Sequence, residues 1–265
     1  EGLHRSPRFG SSVEFAEYRD YSPGDPPGLI DWFVFARTDR YVIRRFQEET
    51  NLRAYVMLDT SSSLQFRDEG SMTKLEYALY LAAGLMIVFV NQGDTVGLIT
   101  FDRDVDRIFA PVGTFEGIRP MLLALEEITP SGPGNIEASI QRAAELVSPK
   151  SLVVVISDLL QDPAELTRGI RRLHHDGHNT IVLHVLDGGE LHLTFGGIAE
   201  MRDLESGNRL VVEADRIRDA YRSAVGAYLD EVRTACTECL AEYRLIDTRS
   251  PVEETLDTLQ SRKPV

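Results

Sequence analysis

The sequence predicts an α/β fold: a doubly wound, mostly parallel sheet of six strands that includes one short antiparallel strand. From residue 51 onward, apolar runs of strand length alternate with longer segments of helical period, which is the pattern of layered α/β domains. Most of these runs are continuously apolar, as expected for strands that helices cover on both faces. One short run, residues 105–110, follows the turn sequence at residues 102–104, which allows it to pair back antiparallel on the strand before it.

The composition is that of a globular protein with a sizeable core, since 43% of its 265 residues are hydrophobic and 26% are charged. The formal net charge of -14 argues against nucleic acid and anionic membranes as partners, because both favour a basic surface. The two cysteines, Cys236 and Cys239, fit packing in a reducing cytoplasm better than a disulfide scaffold. No apolar run reaches the roughly 18 residues that span a bilayer. We therefore expect a cytoplasmic protein that does not itself insert into a membrane.

The first 50 residues form an N-terminal block of a different character, polar and rich in aromatic residues. Residues 23–28 (PGDPPG) predict a loop, and residues 41–46 alternate as a strand does. Little of the block has a helical period. We expect an elaboration at residues 1–50 that packs on the main domain, residues 51–265.

The main domain opens with a run of Ala, Tyr, Val, Met and Leu that ends in Asp59. Gly93 ends the long helix that follows, and Pro163 fits the first turn of a later one. The other boundaries follow from changes of period and from Gly, Pro and Asn clusters. The predicted strands are residues 54–59, 95–101, 105–110, 151–158, 179–187 and 243–247. The predicted helices are residues 72–92, 115–128, 136–147, 163–175, 215–240 and 251–260.

Residues 188–212 interrupt the alternation of strands and helices. Residues 201–205 and 209–212 flank Ser206-Gly207-Asn208, a turn sequence, so we expect a β-hairpin inserted at the rim of the sheet.

Polar side chains with oxygen ligands follow the first strand: Asp59, Ser61 and Ser63 stand at alternate positions. The strand at residues 151–158 likewise ends in a carboxylate, Asp158. Right-handed crossovers place these two strands side by side where the winding direction reverses, and open α/β sheets bind ligands at that point. Mg²⁺ takes oxygen ligands and usually one or two carboxylates from a protein. The four side chains therefore predict a site for Mg²⁺, or for Mn²⁺ or Ca²⁺, whose open position a carboxylate of a partner protein can fill.

At these residues the sequence resembles a von Willebrand factor A domain. Residues 59–63 (DTSSS) match the metal-ion-dependent adhesion motif of that fold, and residues 156–158 (ISD) are similar to its later aspartate strand. In that fold a threonine from the loop before the third helix is a further ligand, and Gly134 stands at this position here. The resemblance thus implies a weak or partner-dependent metal site, with Ser131 or Asn135 as partial substitutes for the threonine.

The resemblance to one bacterial family, called domain of unknown function 58, extends over essentially the whole chain. The motifs that carry it are residues 2–6 (GLHRS), 10–15 (GSSVEF), 18–19 (YR), 23–25 (PGD), 30–32 (IDW), 36–39 (ARTD), 93–98 (GDTVGL) and 203–205 (DLE). The family usually carries an arginine in the segment before residue 30, which here reads PPGL, so an ion pair to Asp25 or Asp31 is expected to differ. Proteins of this type are similar to partners of MoxR-type AAA+ ATPases. The resemblance therefore implies a non-enzymatic, chaperone-like or assembly role beside such an ATPase.

Two alternatives stay open. A Mg²⁺-dependent phosphohydrolase of related topology also has an aspartate where Asp59 stands, but it needs an acid/base carboxylate two residues on, where this chain has Ser61. No lysine is evident near the later strand ends, since Lys150 precedes its strand, and no Walker loop, GxSxG or HExxH motif occurs, so we assign no catalytic residue. The other alternative is the same fold without a metal, in which Asp59 and the serines only cap the next turn and the N-terminal block is the binding surface.

Zinc chemistry is not expected from the histidines near the end of the helix at residues 163–175. His174, His175 and His178 are predicted to be solvated residues of a helix end, where their charge is favourable.

Overall fold

The structure is a computed structural model that describes residues 14–47 and 52–261. Its contacts divide the chain into two compact units, Glu1–Leu52 and Arg53–Val265. The predicted packing of the N-terminal block on the main domain stays a prediction.

Within residues 14–47, the first unit contains a two-stranded antiparallel sheet and one short α-helix. Strand β1 (Glu14–Asp20) pairs with β2 (Val42–Gln47), and α1 (Trp32–Thr38) lies between them in sequence. The strand expected at residues 41–46 is thus present with a shift of one residue, whereas β1 and α1 were not predicted. Helix α1 begins where the Asp31 carboxylate accepts hydrogen bonds from two backbone N–H groups of the first turn, and it ends at Asp39, which has a left-handed φ of 54°.

Two aspartates of this unit, Asp25 and Asp31, have side-chain partners within it. The Arg19 guanidinium lies 2.8 Å from the Asp25 carboxylate, and the Tyr18 hydroxyl donates to Asp31 at 3.2 Å. Asp25 therefore has an arginine partner even though the expected arginine before Ile30 is missing.

The second unit contains the other eight strands and seven helices of the described residues. The strands are β3 (Arg53–Asp59), β4 (Thr95–Phe101), β5 (Val105–Val112), β6 (Leu152–Ser157), β7 (Asn179–Leu186), β8 (Ile198–Arg202), β9 (Arg209–Glu213) and β10 (Glu242–Asp247). The helices are α2 (Lys74–Asn91), α3 (Phe115–Glu126), α4 (Ile136–Leu146), α5 (Pro163–His175), α6 (Gly188–His192), α7 (Ala214–Glu238) and α8 (Val252–Ser261).

Six strands form one sheet in the order β10-β7-β6-β3-β4-β5. All neighbours are parallel except β4 and β5, which pair antiparallel. The predicted fold class, a mostly parallel six-stranded sheet with one antiparallel strand, is confirmed. The strand order runs outward from β3 to β5 and then resumes at β6 on the other side, so the winding direction reverses between β3 and β6.

The core lies on both faces of this sheet, because the central strands are buried along their length. Tyr55 and Met57 of β3 belong to a cluster with buried residues of α4, α5 and α7. The residues between them point to the opposite face, since side chains alternate along a strand, and α2 contacts β3, β4 and β6 there. Two helical layers thus hold the carboxyl ends of β3 and β6 in fixed positions.

Helix α2 is the most apolar helix of the unit. Its 18 residues have a mean hydropathy of 1.4, so the helix is long and apolar enough to cross a bilayer by length and composition, although its uninterrupted apolar run, residues 77–90, is shorter than a span. A buried core helix meets the same criterion, and 56% of this stretch is buried within the unit. Thr73 and Glu76 form a capping box that sets the start of α2 at Lys74.

The predicted rim hairpin is present as β8 and β9, but its turn is longer than expected. Strand β8 ends at Arg202, so residues 203–205, which were assigned to a strand, lie in the turn instead. The reason is local: the Asp203 carboxylate accepts the Glu205 N–H at 2.9 Å, and the Asp203 carbonyl accepts the Gly207 N–H at 2.9 Å. The aspartate side chain therefore starts the turn three residues earlier than Ser206.

Candidate functional site

The two aspartates expected to meet do so at the reversal point of the sheet. Strands β3 and β6 are parallel neighbours with Leu58 opposite Ile156. Asp59 is the last residue of β3, and Asp158 follows the last residue of β6. Both side chains are buried.

Asp59 is held by two hydrogen-bond donors from different strand ends. Its Oδ1 accepts the Ser61 N–H at 2.8 Å, and its Oδ2 accepts the Ser157 hydroxyl at 2.6 Å. Burial, together with the negative charge of Asp158, raises the pKa of Asp59 to about 7 despite these donors. The bond from Ser61 N–H is the turn-capping contact of the metal-free alternative, so the capping role is present whatever else the carboxylate does.

The two serines of the motif turn toward each other. The Ser61 and Ser63 hydroxyl oxygens are 3.1 Å apart, and both residues are buried. Ser61 also bonds to Asp59 through its side chain. Asp59, Ser61 and Ser63 thus present three adjacent oxygen-bearing side chains, as the sequence predicted.

Asp158 has a cationic partner that the sequence did not reveal. The Lys74 Nζ lies 2.7 Å from Asp158 Oδ2 and 2.7 Å from Glu190 Oε1, and the lysine side chain is completely buried. Burial alone would lower the pKa of Lys74, but the charges of Asp158 and Glu190 outweigh it, so the pKa is raised and the ammonium is retained. The expectation that no lysine lies near the later strand ends is therefore wrong. Lys74 is the first residue of α2, and that helix begins over the carboxyl edge of the sheet.

The backbone after Asp158 is fixed by its neighbours. Leu159 has a φ of 49°, an uncommon value for a residue with a side chain, and the Tyr228 hydroxyl donates to its carbonyl. His184 Nε2 is 2.8 Å from the Asp158 carbonyl, which can only accept, while Nδ1 is 2.9 Å from the Tyr243 hydroxyl. Because burial lowers the pKa of His184 to about 4, the imidazole is neutral and Nε2 carries its hydrogen.

Gly134 lies beside Ser61, where the resemblance places the missing threonine. A Cβ atom at Gly134 would stand 3.3 Å from Ser61 Cβ but only 2.7 Å from Gln161 Nε2. The expected substitutes are engaged in other contacts: the Ser131 hydroxyl donates to Asp102 at 2.8 Å, and the Asn135 side chain accepts the Ala138 N–H to cap α4. Compensation for Gly134 by Ser131 or Asn135 stays a prediction.

A glutamate of the hairpin turn takes the place next to Gly134. Glu205 Oε1 accepts the Gly134 N–H at 3.1 Å, and the Glu205 carboxylate also interacts with the Ser63 side chain. Burial raises the pKa of Glu205, and the negative charge of Asp158 adds to the effect. The sequence shows the motif at residues 203–205, but a strand at these residues does not predict a contact between Glu205 and Ser63.

The histidines near the end of α5 behave differently from one another. His174 and His175 are exposed, as predicted, whereas His178 is buried and its Nδ1 accepts the Ser151 N–H at 3.2 Å. The prediction of a solvated residue is wrong for His178, because the chain turns back at Gly177 and inserts the ring at the start of β6.

The side chains around Asp59 fit a hard divalent cation. Among residues 14–47 and 52–261, no group of three or more histidine, cysteine, aspartate and glutamate side chains is placed to hold a metal ion. The set here is of another kind, hydroxyls with one or two carboxylates, which Mg²⁺ accepts while it keeps several waters. Burial raises the pKa values of Asp59, Glu190 and Glu205, and the negative charge of Asp158 adds to each shift. A divalent cation beside Asp59 would compensate that charge.

Comparison with solved structures shows the fold of this unit. The crystal structure of the conserved hypothetical protein BatB from Bacteroides thetaiotaomicron matches 79% of this chain and 96% of that chain, with a TM-score of 0.54 and 18% sequence identity. The SpRpn10 VWA domain matches 79% of this chain and 95% of that chain, with a TM-score of 0.50 and 12% identity. The predicted von Willebrand A-like fold is confirmed.

Comparison of sequences shows the family. Uncharacterized protein Rv1480 of Mycobacterium tuberculosis is 27% identical over 238 residues, which cover 87% of this chain and 73% of that protein. The model of a family described as protein of unknown function DUF58 matches residues 17–229, well over half of the chain. The chain therefore belongs to the DUF58 family, and its main unit is a von Willebrand A-like domain.

Proposed function

We propose that the main unit is a non-enzymatic interaction module that binds a carboxylate of a partner protein through a divalent cation, with Asp59, Ser61, Ser63 and Asp158 as the ion site. The observation that carries this proposal is the contiguous group formed by Asp59, Ser61 and Ser63 at the reversal point of the sheet. Mg²⁺ is the cation proposed, with Mn²⁺ or Ca²⁺ as substitutes, because the ligands are all oxygen atoms. We propose weak binding, since Gly134 contributes no side chain, but binding that the isolated chain already shows and that a partner carboxylate strengthens.

Two features of the site support a binding role over phosphate ester hydrolysis. Ser61 occupies the position where an aspartyl phosphatase needs an acid/base carboxylate, and a hydroxyl is too weak an acid and too weak a base to replace that carboxylate at neutral pH. Lys74 is fully buried between two carboxylates, so its ammonium is not free to meet a phosphate. We therefore propose that the protein is not an enzyme.

The partner we propose is a MoxR-type AAA+ ATPase in the cytoplasm, with which the module would act in a chaperone-like or assembly role. This part rests on the family resemblance and on the acidic charge of the chain, which suits a cation-bridged or basic protein surface better than nucleic acid or an anionic membrane.

Calorimetry with Mg²⁺ and Mn²⁺ tests the ion site. Wild type is expected to bind one ion, and Asp59→Ala is expected to abolish binding while leaving the circular dichroism spectrum unchanged. Asp106→Ala serves as the matched control, because Asp106 is an exposed aspartate of β5. Absence of binding to wild type, or equal binding to wild type and Asp59→Ala, contradicts the proposal.

Capture from the native cell tests the partner. The wild-type chain is expected to retain an AAA+ ATPase in Mg²⁺ and to lose it when a chelator is added, whereas Asp59→Ala is expected to retain none. Retention that is indifferent to chelator and to the substitution contradicts bridging by a metal ion.

A further inference from the structure

We propose that Glu205, on the turn between β8 and β9, is the second carboxylate ligand of the cation, and that Asp158 lies outside its inner shell. This inference rests on the proposed function and revises its ligand set. It also makes the hairpin turn part of the ion site, so that the chain supplies internally a carboxylate of the kind a partner would bring.

The contacts that carry this assignment form an unbroken series. Asp59 Oδ1 accepts the Ser61 N–H at 2.8 Å, the Ser61 and Ser63 hydroxyl oxygens are 3.1 Å apart, and the Ser63 side chain interacts with the Glu205 carboxylate. Two carboxylates thus flank two hydroxyls. Mg²⁺ usually takes one or two carboxylates from a protein and keeps waters in the remaining positions, so two carboxylates suit it.

Asp158 is less suited to the inner shell because it already has a cation. Its Oδ2 lies 2.7 Å from the Lys74 ammonium, and its backbone carbonyl accepts from His184. A Mg²⁺ ion bound to the same carboxylate would be held close to the Lys74 charge, which is repulsive in a buried site. Glu205 has no salt bridge to a cationic side chain within residues 14–47 and 52–261, and the groups it meets there are the Gly134 N–H and the Ser63 side chain.

Glu205 also accounts for the glycine at position 134. A side chain at that position would meet Gln161 Nε2 at 2.7 Å, and Gln161 is held because its Oε1 accepts the Ile136 N–H at 2.8 Å. With no side chain there, the Gly134 N–H is open to Glu205, which brings a charged oxygen to the side of the site where a threonine hydroxyl is absent.

The role of Glu205 as a ligand explains the geometry of the hairpin turn. Strands β8 and β9 form a separate two-stranded sheet, and such a pair has little stability of its own. The Asp203 carboxylate fixes the turn through the Glu205 N–H and the Ser206 hydroxyl, which directs Glu205 to Ser63. An ion bound by Asp59 and Glu205 would tie this turn to the carboxyl edge of the sheet.

The test compares Mg²⁺ binding by calorimetry in wild type, Glu205→Gln and Glu200→Gln. Glutamine keeps the acceptor for the Gly134 N–H but removes the charge, so we expect Glu205→Gln to weaken Mg²⁺ binding by about 10-fold or more. Glu200 is an exposed residue of the same hairpin that pairs with Arg209, so Glu200→Gln is expected to bind as wild type does. A third variant, Asp158→Asn, is expected to lose less affinity than Glu205→Gln.

A second readout follows the turn itself by amide hydrogen exchange. Mg²⁺ is expected to slow exchange at residues 203–208 in wild type and in Glu200→Gln, but not in Glu205→Gln. If wild type binds Mg²⁺ and Glu205→Gln binds equally well with unchanged exchange, the assignment of Glu205 is overturned while the proposed function stands. If Asp158→Asn loses more affinity than Glu205→Gln, the revised ligand set is likewise overturned. If wild type binds no Mg²⁺, both proposals fall.

Discussion

Lys74 is a buried cation beside the proposed ion site, and the sequence did not predict it there. A buried ammonium is costly to desolvate, and this one is stable because two carboxylates, Asp158 and Glu190, each lie 2.7 Å away. The arrangement adds little net stability compared with an apolar core, but each member depends on the others, because removing one leaves an uncompensated charge in a buried place. Lys74 therefore serves to hold Asp158 and the start of α2 in register with the sheet edge.

Replacement of Lys74 by methionine is expected to lower the free energy of unfolding by about 3–5 kcal/mol, since Asp158 and Glu190 lose their cation. Urea unfolding followed by circular dichroism measures the change. The control is Arg142→Met, which removes one partner of an exposed ion pair with Glu145 and is expected to cost about 0–1 kcal/mol. Equal losses of unfolding free energy in the two variants would show that Asp158 and Glu190 do not depend on the Lys74 charge for their place in the folded state.

The residues of the site differ in how far the sequence could predict them. Asp59, Ser61, Ser63 and Asp158 follow continuous apolar runs, and the end of a buried strand is a place that periodicity identifies. Lys74 and Glu205 reach the site from sequence positions that periodicity does not connect to it; Lys74 is 84 residues from Asp158. Which side chain at a helix start or hairpin turn points inward depends on three-dimensional packing, which one sequence does not supply.

At the scale of elements, the turn between α5 and β7 shows how a titratable group can fasten the end of a helix to the start of a neighbouring strand, β6. His178 is buried, its backbone N–H donates to the Leu173 carbonyl at 3.0 Å, and its Nδ1 accepts from the first residue before β6, Ser151. Burial lowers the pKa of His178 below its ordinary value of 6.5, although the nearby Asp176 charge opposes the shift. Protonation at Nδ1 would also break the bond to the Ser151 N–H.

This connection predicts a loss of stability in mild acid. Because the unfolded chain takes up a proton at His178 near pH 6.5 and the folded chain only at lower pH, the contribution is complete above pH 6.5 and is lost as the pH falls below it. His178→Gln keeps an acceptor for Ser151 and cannot be protonated. We expect the unfolding free energy of this variant, measured in urea between about pH 5 and pH 8, to fall less steeply in acid than that of wild type. Parallel pH profiles would contradict the assignment.

The sequence predicted long elements better than short ones, for a physical reason. Strand β4 and helix α5 have the predicted bounds because several turns or a full apolar run define them. Helix α1 has seven residues, too few to establish a period, and depends on the Asp31 cap and on contacts of Trp32 and Tyr41 with Phe35. The turn at residues 203–208 was shortened in the prediction because Asp203 acts through its side chain, which a pattern of apolar residues does not detect.

At the scale of the whole molecule, the two units of the chain differ in how much secondary structure is available to form a core. In the part of the chain that the structure describes, the second unit has a six-stranded sheet with helices on both faces, whereas the first has a two-stranded sheet and a short helix. A domain with its own layered core is expected to fold cooperatively by itself. A two-stranded sheet with one short helix has much less apolar surface to bury and is expected to have a lower stability.

The two units therefore predict two unfolding transitions that different probes separate. Trp32 is the one tryptophan of the chain and lies in the first unit, so its fluorescence follows that unit, while far-ultraviolet circular dichroism follows mainly the helices α2–α8 of the second. In urea we expect the fluorescence transition at a lower concentration than the circular dichroism transition. The fragment of residues 51–265, which lacks Trp32, is expected to reproduce the circular dichroism midpoint of the full chain, with an unfolding free energy on the order of 5–15 kcal/mol. Coincident transitions in the full chain, together with a fragment that has no cooperative transition, would show instead that the chain folds as one unit.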